Sequence, residues 1–128
     1  MSRLIELKNK LKNQEPILST TIANVSWSGL AQKAASFGFD FMMFDLEHGT
    51  LSVEGIEETL RVCRLCDLPT VVRIPDSIPH LTSKTLDMGA DGIMIPRTES
   101  LDQLKTAIDG LHFSPVGRKG MGGHGQMR

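Results

Sequence analysis

Asp45, Glu47 and His48 sit together in the stretch Asp45-Leu46-Glu47-His48-Gly49, directly after a short apolar run. A carboxylate three residues before a histidine in a tight loop orients the imidazole and raises its basicity, which suits a proton donor or acceptor near neutral pH. Loop histidines without any catalytic part occur in the same pattern, so the motif by itself decides nothing. Arg73 closes a second apolar run, Val71-Val72-Arg73-Ile74-Pro75. A guanidinium there is suited to bidentate capture of a carboxylate; the plain alternative is an arginine in water or paired with a nearby acid. Arg97 and Glu99 hold the corresponding place after a third run, in Ile95-Pro96-Arg97-Thr98-Glu99-Ser100, and taken separately they read as a surface ion pair. The joint pattern carries more than any member: charged groups follow three successive runs that are themselves nearly all apolar.

Other polar positions say less. Asp87 falls in the last turn of an expected helix, just before Gly89. The helix dipole is negative there, so a carboxylate calls for compensation by a cation or a neighbouring subunit, unless it is a solvated acid bearing a small penalty. Cys63 and Cys66 are formally C-x-x-C. With no second pair for zinc, and placed inside a helix, they read as packing residues. His80 and His112 are isolated. Gly117-Arg118-Lys119-Gly120 with Gly122 and Gly123 offers backbone N–H groups and cations to an anion. It matches no phosphate-loop pattern, so a flexible connector is the expected meaning.

The elements that must position these residues follow from periodicity. Leu4, Ile5, Leu7 and Leu11 predict a helix over 3–13 with Ser2 as N-cap, ended by Pro16. Strands are predicted at 17–25, 39–44, 70–74 and 92–95, and helices at 28–37, 52–66, 79–88 and 100–111. The order is one helix, then βα four times, which signals parallel βαβ units. Ser36-Phe37-Gly38-Phe39-Asp40 and Asp87-Met88-Gly89-Ala90-Asp91 echo each other: a helix-ending glycine, an aspartate two residues on, then a buried strand. The fold class is α/β. Four βα units make either a small doubly wound sheet or the N-terminal half of a (β/α)₈ barrel, whose full form takes about 250 residues. Residues 1–112 are expected to be the half barrel and 113–128 a Gly-rich tail. A half barrel exposes two edge strands and an open inner face, so dimerisation, a completing C-terminal partner or a chain that behaves poorly alone is expected.

Bulk properties exclude other classes. The chain has 128 residues, 40% hydrophobic and 23% charged, with a formal net charge of −1 and a pI near 6.4. Nothing in that balance calls for nucleic acid or an anionic membrane as partner. No apolar stretch reaches the roughly 18 residues of a membrane span. The charged amphipathic start is not a secretion signal, and two cysteines fit a reducing cytoplasm.

In order and spacing, Phe44-Asp45-Leu46-Glu47-His48-Gly49-Thr50-Leu51-Ser52, Val71-Val72-Arg73-Ile74-Pro75, the segment 86–100 and Phe113-Ser114-Pro115-Val116-Gly117-Arg118-Lys119-Gly120 resemble the HpcH/HpaI aldolases. Those are class II enzymes that cleave or form 4-hydroxy-2-oxo acids, within the superfamily of barrels that bind pyruvate and phosphoenolpyruvate. The resemblance implies a (β/α)₈ barrel in a hexamer with exchanged helices. It implies pyruvate and an aldehyde as substrates, Asp45 and His48 as a catalytic dyad, and Arg73 as the group that holds pyruvate and its enolate. Asp87 would serve a neighbouring subunit's site. A divalent magnesium, manganese or cobalt ion is implied, held by a Glu and an Asp on later strands beyond Arg128; Glu47 and Glu99 match neither ligand. The expectation is therefore a lyase whose isolated 128-residue chain is nearly inactive. Two other readings stay open: a non-catalytic half barrel that self-associates, and a barrel that binds phosphorylated ligands through its Gly-rich tail.

Overall fold

The computed structural model describes residues 2–122. Helix α1 (Arg3–Asn13) opens as its sequence dictates: Ser2 Oγ accepts the Leu4 N–H at 3.3 Å, and Gln14 ends it in the left-handed region. Four strands follow, β1 (Ser19–Ile22), β2 (Phe41–Asp45), β3 (Thr70–Arg73) and β4 (Gly92–Met94). They alternate with α2 (Ser28–Ser36), α3 (Glu57–Leu65), α4 (Pro79–Asp87) and α5 (Leu101–Asp109). All pairings are parallel and the spatial order is β1-β2-β3-β4. A doubly wound sheet reverses its order partway, whereas a barrel adds each strand beside the last. The order therefore selects half of a barrel.

The sheet has two unlike faces. Met42, Phe44, Val72 and Ile74 are fully buried and pack with Ala31 and Ala34 of α2 and Leu60 and Cys63 of α3. Their period-2 neighbours, Phe41, Met43, Val71 and Arg73, lie on the opposite, partly open face. Asp45 and Arg73 are register partners on that second face. Cys63 is a buried thiol with Sγ 3.9 Å from Met42 Sδ, Cys66 is half-buried, and neither is in a disulfide.

The repeated Gly-x-Asp pattern does a definite job. Gly38 and Gly89 both adopt positive φ, of 80° and 108°, and reverse the chain after α2 and α4. Two residues later, Asp40 accepts the Leu18 N–H at 2.8 Å and Asp91 accepts the Thr70 N–H at 3.0 Å. Each aspartate thus clamps the start of the preceding strand to its own. Lys10 of α1 pairs with Asp40 at 2.6 Å, and Arg3 donates to the Ala35 and Phe39 carbonyls. Helix α1 is thereby fixed across the end of the sheet where strands begin.

Three expectations are corrected. The strand predicted over 17–25 contracts to Ser19–Ile22 because parallel pairing with β2 spans only those residues. The helix predicted from Ser52 begins as a 3₁₀ turn, Glu54–Ile56, with Ser52 Oγ accepting the Gly55 N–H, and α3 proper starts at Glu57. Up to residue 122, the segment after α5 is not a loose connector. Arg118 N–H bonds the Asp109 carbonyl at 2.7 Å, Lys119 N–H bonds the His112 carbonyl at 2.9 Å, and Lys119 is buried. A Cβ at Gly117 would lie 2.4 Å from the His112 oxygen, so glycine is what permits this close return. The remainder of the expected tail, 123–128 with Gly123, lies outside the described residues.

Candidate active site

Asp45 ends β2 and Arg73 ends β3, and parallel register sets their side chains next to each other on the open face. Asp45 is 4% exposed and fully engaged. Its Oδ1 accepts Arg73 Nε at 2.9 Å and the backbone N–H groups of Glu47 and His48 at 3.0 and 3.1 Å. Its Oδ2 accepts Arg73 Nη2. These bonds, the Arg73 guanidinium first, hold the Asp45 carboxyl far below the usual carboxylate range against the opposing effect of burial. One aspartate therefore grips the arginine and folds the loop that presents Glu47 and His48.

The loop is pinned from β1's side as well. Gly49 takes φ 113° and passes so close to Ala23 that a Cβ would stand 2.2 Å from its carbonyl oxygen. Thr50 then donates its N–H to Ala23 at 3.1 Å and its hydroxyl to the Asn24 carbonyl at 3.1 Å. His48 stands out from this turn with its side chain 68% exposed.

His48 does not hydrogen-bond the Asp45 carboxylate, as the sequence motif suggests it should. Nδ1 is 3.6 Å from Asp45 Oδ2 and 3.9 Å from Glu47 Oε2, but 2.9 Å from Arg73 Nη2. A guanidinium only donates, so Nδ1 offers its lone pair and the ring proton resides on Nε2. The dyad read from sequence is in geometry a triad with the arginine in the middle. The contacts of Arg73 with the described residues run through Nε and Nη2, and Nη1 has none among them.

Glu47 extends the cluster. Its side chain is 12% exposed, 3.6 Å from Arg73 Nε and 3.2 Å from Arg97 Nε. Arg97 thus pairs with Glu47 and not, as its neighbourhood suggests, with Glu99. It stands at the carboxyl end of β4 after Pro96, in the left-handed region at φ 44°. Beside it lies a cleft of about 220 Å³ lined by Asp76, Ser77, Pro96, Arg97, Glu99 and Gln103.

Asp87 is not brought to this cluster within the chain. It ends α4, on the side of the sheet where helices feed strands, and forms an ion pair with Lys119 Nζ. Lys119 also lies 5.4 Å from the centre of the Phe113 ring. A compensating cation beside Asp87 was legible from the helix dipole; its source in the Gly-rich segment was not. Among the described residues no three or more His, Cys, Asp or Glu side chains converge as a metal cage requires. Asp45 and Glu47 are instead taken up by guanidinium groups, so the described residues do not fit a divalent cation by themselves. No described helix is long and apolar enough to cross a membrane.

Comparison with known proteins agrees with the fold. The hydroxypyruvate/pyruvate aldolase of Agrobacterium fabrum is 32% identical over 92 residues, 72% of this chain and 35% of that protein. The 2-dehydro-3,6-dideoxy-6-sulfogluconate aldolase of Pseudomonas putida is 27% identical over 110 residues, 86% of this chain and 43% of that protein. Among solved structures, the HpcH/HpaI aldolase from Desulfitobacterium hafniense DCB-2 superposes with a TM-score of 0.82 at 27% identity, covering 91% of this chain and 45% of that one. The chain thus spans less than half the length of these relatives, and the part it spans is half of their barrel. The profile of one family, HpcH/HpaI aldolase/citrate lyase, matches residues 23–124. With the strand order in agreement with that match, the chain belongs to the HpcH/HpaI aldolase/citrate lyase family.

Proposed function

We propose that this chain carries the substrate-holding and proton-moving residues of a carbon–carbon lyase that forms or cleaves 4-hydroxy-2-oxo acids, with pyruvate as the shared 2-oxo acid and an aldehyde as its partner. One observation carries the reading: Arg73 is locked by Asp45 on one side, touches His48 on the other, and has no contact through Nη1 among the described residues. A fixed, permanently charged fork is suited to a 2-oxo acid, whose carboxylate and oxo oxygens lie in one plane.

The roles follow from the contacts. Arg73 binds the 2-oxo acid, and its charge faces the oxygen that becomes an enolate oxygen as the bond between C3 and C4 breaks. Asp45 positions Arg73 without itself exchanging a proton, because its carboxyl is held ionised. His48 moves the proton. In the cleavage direction Nδ1, freed when substrate oxygen replaces it at Arg73 Nη2, takes the proton of the C4 hydroxyl as the C3–C4 electron pair passes into the enolate, and the imidazolium then returns a proton to C3. The divalent cation implied by the resemblance would need donors other than the described cluster.

The test is selectivity for the 2-oxo group. In ligand-detected NMR on the full chain, pyruvate should bind and acetate should not compete at equal concentration. Equal competition by acetate would reduce the cluster to a general carboxylate patch.

A further inference from the structure

We infer that Arg97 is a positioning residue for the 2-oxo acid site: by neutralising Glu47 it keeps Arg73 available to the substrate anion. The inference rests on the pyruvate reading above and deepens it.

Charge bookkeeping around the open face leads to it. Asp45 and Glu47 are two nearly buried carboxylates, at 5% and 12% side-chain exposure. Arg73 contacts both, directly at Asp45 and at 3.6 Å from Glu47. With those three groups alone the cluster would be net negative before an anionic substrate arrived. Glu47, poorly solvated, would have Arg73 as its nearest cation and would compete with the substrate for it. Arg97 changes this. Its Nε lies 3.2 Å from Glu47 Oε1, while Glu47 Oε2 is the oxygen that faces Arg73 and His48. The two oxygens of Glu47 are thus shared between two guanidinium groups, and two carboxylates balance two arginines.

The backbone shows how Arg97 gets there. Pro96 fixes the approach, and Arg97 itself adopts a φ of 44°, which residues other than Gly, Asn and Asp seldom do. That turn after β4 brings its side chain back to the loop after β2, across β3, although the residue is otherwise largely exposed. Most of its guanidinium remains in solvent beside the 220 Å³ cleft, so stability gained from an exposed ion pair gives little reason for the arrangement.

The experiment uses the full chain and the variants Arg97→Gln, Glu47→Gln and the double variant, with pyruvate affinity and the Arg73 Nε–H resonance as two readouts. Arg97→Gln should weaken pyruvate about tenfold, the effect of one unbalanced charge a few ångströms from the ligand. It should also move the Arg73 Nε–H signal as Glu47 turns to it. Adding Glu47→Gln should restore both, because the unbalanced carboxylate is then gone. A merely structural Arg97 would lower the melting temperature while leaving the signal in place, with no rescue in the double variant; that result overturns the inference. Failure of the wild-type chain to bind pyruvate would overturn the function reading instead, and the Arg73 signal would still decide the role of Arg97.

Discussion

Asp45 and His48, three residues apart in one loop, are joined through Arg73: the imidazole Nδ1 lies 2.9 Å from Arg73 Nη2 and 3.6 Å from the nearer Asp45 oxygen. The carboxylate therefore acts on the histidine by fixing the arginine and by bonding the His48 backbone N–H. The consequences for Asp45 and His48 are separable.

Asp45→Asn removes the charge that Arg73 and two backbone N–H groups share. We expect a loss of about 2–3 kcal/mol in unfolding free energy, the usual cost of breaking a mostly buried charge-assisted network. Chemical denaturation of wild type and variant at pH 7 measures it, and a loss under about half a kcal/mol would contradict the account.

The same residue sets part of the acid limit. Its folded carboxyl titrates far below the unfolded value of about 3.9, so its contribution is present above that pH and is lost as pH falls toward the folded value. The stability gap between wild type and Asp45→Asn should therefore be constant at neutral pH and should narrow below about pH 4. A gap that widens on acidification would mean that Asp45 is not held ionised by Arg73.

His48→Gln keeps a polar side chain on the loop but cannot move a proton. In an assembly competent for turnover it should lower carbon–carbon cleavage by roughly 10²–10⁴-fold, with pyruvate affinity changed little. Steady-state kinetics beside a pyruvate titration separates the two. A comparable loss of both would assign His48 to binding.

Much of this was legible in the chain. Apolar runs at 39–44, 70–74 and 92–95 located three strands to within two residues, and strand ends in a parallel sheet collect their side chains on one face. That logic allows Arg73 to reach the face that carries Asp45 and His48, where the structure has all three. It failed where a single unusual backbone angle decides. Nothing in Pro96-Arg97-Thr98 announces a left-handed turn, because that turn usually takes glycine or asparagine, so the local pairing of Arg97 with Glu99 was the natural expectation. It failed again at Lys119. Glycines on both sides suggest freedom, yet Gly117 is there because the chain passes against His112 and Asp109, and the lysine between them is buried on Asp87.

Lys119→Met tests that second point. It removes the Lys119 charge from Asp87 at a helix end that already disfavours a carboxylate. Hydrogen exchange at 113–122 should accelerate at least tenfold, the equivalent of about 1.4 kcal/mol of local stability. Lys119→Arg should recover part of the protection. Unchanged protection in Lys119→Met would show that backbone bonds alone hold the segment.

The most direct measurement is a pyruvate titration of the full chain and of Arg73→Lys, followed by NMR of the arginine side-chain N–H groups. Pyruvate should shift the Arg73 Nε–H and the His48 ring signals together, because the ligand enters at the nitrogen the ring now touches. Arg73→Lys, which keeps the charge and loses the fork, should bind at least tenfold more weakly, about 1.4 kcal/mol. Saturable pyruvate binding that leaves Arg73 and His48 unshifted, or that survives the lysine substitution undiminished, would place the 2-oxo acid elsewhere and contradict the account.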